Sequence, residues 1–150
     1  MNEQTGGATT KTLRGSCHCG AVKFEVDADV SRGGSRCNCS VCTKLAAFSG
    51  MVKPDAFRVL CDEAELGQYR FGPVSTRYFC KHCGTHCYGR GDLPELGGEF
   101  VGFSYNTIDD LELSELPVIY WDGRHDNWHA GPSNQPFPML KRTGQTPSAA

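Results

Sequence analysis

Seven of the nine cysteines in this 150-residue chain fall into three tight groups: Cys17-His18-Cys19, Cys37-Asn38-Cys39 with Cys42 close behind, and Cys80-Lys81-His82-Cys83. No other feature restricts the fold as strongly. A soft metal ion explains the density, since zinc takes thiolates at about 2.3 Å in tetrahedral geometry and needs its sulfurs close together. A disulfide framework does not, because nine is odd and partners two apart in sequence bridge badly. Cys-x-Cys reaches one ion from an extended segment, where residues i and i+2 share a face. The Cys-x2-Cys-Gly of Cys80 to Gly84 has the form of a zinc knuckle, in which glycine supplies the positive φ that closes the loop.

Seven thiols divide into four plus three. Cys17, Cys19, Cys80 and Cys83 close one site, a staple between loops some sixty residues apart, and Cys37, Cys39 and Cys42 form another with a corner left over. Four protein ligands are the mark of a structural zinc, three with an open position that of a catalytic one. A reading in which only one group binds metal stays open on spacing alone. Two zinc ions per chain are expected under the split. Three thiolates leave a zinc site negative, which favours capture of a fourth soft ligand over activation of water. A substrate thiol bound there would be deprotonated at neutral pH and become a nucleophile.

Length and charge narrow the rest. One domain is expected, with 39% hydrophobic and 21% charged residues and no apolar run near the roughly 20 that a membrane span needs. A net charge of −2 argues against a nucleic-acid surface. Met1 to Thr10 is polar and lacks the apolar stretch of a secretory signal, so a cytoplasmic, reducing compartment is the expectation.

Along the chain, Val22, Phe24 and Val26 alternate on one face of a strand. Short strand candidates follow at Phe48 to Val52, Phe57 to Cys61, Gln68 to Phe71, Val74 to Phe79 and Glu99 to Tyr105, separated by turn residues, and Leu116 to Trp121 is the last apolar run. Ser40 is placed to cap a short helix through Ala47, and Thr107 or Asp109 to cap another turn. Gly91 to Gly98 reads as a loop. The sum is a mainly β domain over 13–130, with a flexible leader at 1–12 and a flexible C-terminal tail at 131–150.

Cys17-x-Cys19-Gly20, Cys37-x-Cys39-Ser40-x-Cys42 and Phe79-Cys80-x2-Cys83-Gly84-Thr85, in this order and spacing, resemble the three signatures of the glutathione-dependent formaldehyde-activating enzyme and centromere protein V family. The likeness runs from about Leu13 to Trp128. It implies a β-tent fold of small antiparallel sheets, a structural zinc on Cys17, Cys19, Cys80 and Cys83, and a catalytic zinc on Cys37, Cys39 and Cys42. It also implies the family's named activity as S-hydroxymethylglutathione synthase, a carbon-sulfur lyase joining glutathione to formaldehyde. The centromere protein branch implies an alternative, a non-enzymatic zinc-stabilised protein-binding module.

Between Tyr120 and His129 the chain mixes aromatic, imidazole and carboxylate groups. His125, Asp122 and Asp126 are candidates to supply a proton, and Tyr120, Trp121 and Trp128 to wall an apolar pocket. The same pattern also suits a polar surface loop anchored by aromatics, since nothing in the sequence sets it beside Cys37. His18 and His82 are expected to point away from the metal. Cys61 and Cys87 read as buried thiols. Arg14, Arg36, Lys44 and Arg77 are candidates to receive glutathione carboxylates.

Overall fold

The computed structural model describes residues 9–140. The expected leader up to residue 8 and the tail from 141 onward lie outside the described residues. What is described is mainly β, as the spacing of short apolar runs predicts. Ten strands among these residues form two sheets.

The smaller sheet sets β1 (Thr10–Ser16), β2 (Lys23–Asp29) and β5 (Phe57–Val59) side by side, antiparallel throughout. Val22, Phe24 and Val26, the predicted inward face, are essentially inaccessible to solvent. Each such side chain stabilises the fold by about 1.5–3 kcal/mol relative to an exposed one. Phe24 stacks on Phe57 at 5.0 Å, and Phe57 meets Tyr88 of the other sheet at 4.7 Å, so aromatic contacts join the layers.

The larger sheet has the order β10-β3-β4-β9-β8-β7-β6. Its strands are β3 (Gly34–Cys37), β4 (Ser49–Val52), β6 (Leu66–Phe71), β7 (Ser75–Cys80), β8 (His86–Leu93), β9 (Gly98–Ser104) and β10 (Val118–Trp121). All its pairings are antiparallel except β10 with β3. A parallel neighbour requires a long connection, and this one brings the end of β10 beside the end of β3, with Trp121 opposite Cys37.

Several boundaries differ from expectation. Thr10 to Thr12, assigned to the leader, pair with Asp27 to Asp29 in the first sheet. The single α-helix among the described residues, α1 (Ser40–Lys44), is capped by Cys39 rather than Ser40, because Cys39 holds the extended φ of −64° and ψ of 162°. Neither Thr107 nor Asp109 caps a turn. Glu112 does so instead, its carboxylate accepting from the Ser114 amide at 3.1 Å. The stretch from Gly91 is strand rather than loop up to Leu93, which pairs with Gly98 across the turn Pro94–Leu96.

Candidate metal centres and active site

The first centre lies where the two sheets meet. Cys17 and Cys19 sit in the turn between β1 and β2, while Cys80 ends β7 and Cys83 lies in the turn that leads to β8. The four Sγ atoms all lie within 4.8 Å of one another. Cys17 and Cys19 are 3.7 Å apart, and Cys19 and Cys80 are 3.6 Å apart. A tetrahedron with 2.3 Å arms has edges of about 3.8 Å, so the donor set fits a zinc-sized ion. Backbone amides already point at the sulfurs: Val22 N–H donates to Cys17 at 3.2 Å and His82 N–H to Cys80 at 3.3 Å. Such bonds spread thiolate charge and fix the ligands' direction. Gly84, at φ +77°, turns the knuckle, and its N–H closes it on the Cys80 carbonyl at 2.9 Å.

The second centre uses three elements. Cys37 ends β3, Cys39 precedes α1, and Cys42 lies inside it. Their sulfurs also lie within 4.8 Å of one another, and among the described residues no histidine or carboxylate joins them. Proximity splits the thiols. Cys39 is held far below the usual thiol range by hydrogen bonds from Cys37 and Cys42, with help from the charge of Arg77. Cys37 is pushed up first by its contact with Cys39, and Cys42 by its contacts with Cys37 and Cys39. Arg77 reaches in from β7, its terminal nitrogen 3.8 Å from Cys42 Sγ, while its Nε is buried without a partner among the described residues.

His18 is exposed and contributes no metal-facing atom to the first cluster, and His82 instead meets Glu65 at 2.5 Å. Arg14 is largely solvated and pairs loosely with Glu25, and Lys44 is exposed on α1. Cys87 is buried as expected, its thiol pushed up to about 12 by loss of water. Cys61 is half-buried.

The loop after β10 is where sequence and structure part most. The parallel pairing carries Asp122, Gly123 and Arg124 directly against the three-thiol loop, and His125 follows them. Asp122 is only 6% exposed. Its carboxylate accepts from Asn38 Nδ2 at 2.7 Å, contacts His125 Nδ1 at 2.6 Å, and accepts from Asn127 Nδ2 at 3.2 Å. Burial opposes its charge, but these bonds outweigh burial and hold the carboxyl below its usual range. Gly123 passes so close that a Cβ there would stand 2.6 Å from Cys37 Sγ. A plain surface loop does not account for this contact. Asp126 is exposed at a left-handed corner, with φ of 51°.

Three participants gave no usable sequence signal. Asn38 reads as a spacer between two ligands, yet it ties the loops together, accepting from Arg124 at Oδ1 and at its carbonyl, both 2.9 Å. His86 sits one residue before Cys87 with Nε2 buried and unpartnered among the described residues, and burial together with the Arg77 charge holds its pKa down to about 4. Residues 132–140, expected in the flexible tail, cross the thiol loop: Ser133 bridges to Tyr120, and the Pro138 carbonyl accepts from Asn38 Nδ2 at 3.3 Å. Asn38 and this segment border an open cavity of about 230 Å³ whose wall includes Cys37 and Cys42. Tyr120 and Trp121 line it, while Trp128 packs against Trp121 outside it. Arg36 lines it too, with its guanidinium 4.8 Å above the Phe48 ring.

The family model for the glutathione-dependent formaldehyde-activating enzyme matches residues 12–121, which contain both thiol clusters. The chain belongs to this family. Relatives described under the family's name include one from Penicillium rubens, 34% identical over 57% of this chain and 48% of its own. Another from Emericella nidulans is 33% identical over 66% and 50%. The chain spans about half the length of the curated relatives it matches. A crystal structure of a Rhodobacter sphaeroides protein superposes with a TM-score of 0.60 at 27% identity, covering 71% of this chain and 99% of that one. No helix among the described residues is long and apolar enough to cross a membrane.

Proposed function

We propose that this chain is a zinc-dependent carbon-sulfur lyase that adds a thiol, with glutathione the leading candidate, to formaldehyde or a related aldehyde, reversibly. The observation that carries the reading is the three-sulfur cluster, which lacks a fourth protein donor among the described residues and forms part of a cavity wall. Cys17, Cys19, Cys80 and Cys83 would hold a structural zinc, and Cys37, Cys39 and Cys42 a catalytic one. A zinc ion on the second set would supply a soft Lewis acid that favours a bound thiol in its thiolate form.

The chain's own residues then handle the proton and the orientation. Asp122 fixes His125 through Nδ1, which leaves Nε2 to exchange a proton. His125 takes the thiol proton, the sulfur adds to the carbonyl carbon, and the carbonyl π pair moves to oxygen. That oxygen receives the proton back from His125, so the reaction balances without any other reagent. Asn38 holds the Asp122 loop against Cys37 throughout.

Exchange spectroscopy by NMR on glutathione and formaldehyde, with and without metal-loaded protein, tests this. Faster interconversion of the free and hydroxymethylated thiol is the expected result. A rate equal to the uncatalysed background would count against the lyase and in favour of a zinc-stabilised binding module.

A further inference from the structure

Residues 134–140 form a strap over the three-thiol loop, and the cavity beneath it differs from what a tripeptide thiol needs. Ala46, Ala47, Trp121, Pro136, Phe137 and Met139 give it carbon walls. Two of its polar members are engaged within the chain: Asn38 bonds Asp122 and the Pro138 carbonyl, and the Thr43 hydroxyl rests on Met139 Sδ at 3.8 Å, while the exposed Arg36 lays its guanidinium over Phe48 at the edge. Against carbon walls the polar groups of a peptide would find few partners. At about 230 Å³ the space is also below the roughly 300 Å³ at which sites for larger ligands begin. A cavity of about 150 Å³ is enough for one benzene ring.

Formaldehyde, with no carbon substituent, would leave these walls uncovered. We infer that the cavity is the subsite for an apolar substituent on the aldehyde, of the size of a phenyl or short branched alkyl group, and that Pro136, Phe137 and Met139 set that preference. The inference rests on the thiol-aldehyde reading and names its second substrate as an aldehyde larger than formaldehyde. The chemistry is unchanged: the thiolate sulfur bonds to the carbonyl carbon, and the oxygen takes up the proton that the thiol released. The three selecting residues lie beyond residue 121, where the family match ends. The cysteines therefore belong to the shared part of the chain, while this wall is supplied from outside it.

Exchange rates measured by NMR for the glutathione adducts of formaldehyde and of phenylacetaldehyde, each relative to its uncatalysed rate, test the assignment on the zinc-loaded full chain. The expected acceleration is at least about tenfold greater for phenylacetaldehyde, a usual scale for filling an apolar subsite. In a double Phe137→Ala, Met139→Ala variant this ratio falls about tenfold. Equal acceleration of the two aldehydes, or a ratio indifferent to the double substitution, would overturn the inference while leaving the lyase reading in place. If neither aldehyde is accelerated, the lyase reading fails, and a titration with unreactive phenylacetamide judges the cavity by itself. Shifts at the Trp121 indole and Met139 methyl, at concentrations where acetamide gives none, support an apolar subsite; their absence overturns it.

Discussion

The two thiol clusters share a ligand chemistry and differ in what surrounds them. In the four-sulfur cluster the protein offers four donors, enough to close a tetrahedron around an ion, and they come in pairs from β-hairpins of different sheets. Cys80 is fully buried there and Cys17 nearly so. In the three-sulfur cluster the thiols come from one short stretch, and their neighbours are a cavity, the Arg77 guanidinium and the loop that carries Asp122 and Gly123. Closure joins distant parts of the chain, whereas an open corner leaves room for chemistry. One arrangement therefore predicts loss of fold when a ligand is removed, the other loss of activity.

The largest expected difference lies between Cys80→Ser and Cys39→Ser. The first should abolish the cooperative melt seen by circular dichroism, because metal-binding free energy in such closed sites is folding free energy, of order 10 kcal/mol in zinc-finger peptides. The second should leave a folded protein whose zinc content, by elemental analysis, drops from two ions to one. Equal loss of fold in both would erase the distinction between the clusters.

A smaller effect sharpens the role of the open centre. His125→Ala should reduce the enzyme-accelerated exchange rate by about 100-fold, the lower end of general acid-base contributions, with zinc content unchanged. Loss of metal together with rate would make His125 a structural support for the centre instead.

Smaller again is Asp122→Asn, which weakens a buried acceptor serving three donors and should cost about 1–3 kcal/mol in stability. The pH dependence carries a sign. Because the folded-state pKa of Asp122 lies below the ordinary value near 3.8, its carboxylate stabilises the fold in full above that value. The contribution is lost as pH falls through the lower folded-state pKa. A melting-temperature profile of Asp122→Asn should therefore lack the part of the acid decline due to this group and run closer to wild type at low pH than at neutral pH.

The sequence revealed much of the sulfur chemistry and little of what stands around it. Grouping by spacing selected the same four and the same three sulfurs that the fold brings together, because short-range motifs and a knuckle glycine leave local signals. Val22, Phe24 and Val26 were legible by period alone. The contact between the Asp122 loop and Cys37 was not, since it follows from a parallel pairing of β10 with β3 across some eighty residues, and periodicity does not reveal which strands become neighbours. Asn38 and Arg77 carry no motif; their roles arise only once β10 and β7 are in place. The strap from 134 to 140 is rich in proline and polar residues, a composition that reads as loose tail until Phe137 and Met139 are seen against the thiol loop.

Cadmium-113 NMR of the cadmium-substituted chain tests the central claim most directly, since each bound ion reports its own ligand set. Two resonances are predicted, of which only the one lost in Cys39→Ser moves when glutathione is added. A single resonance, or two that both ignore the thiol, would contradict the account.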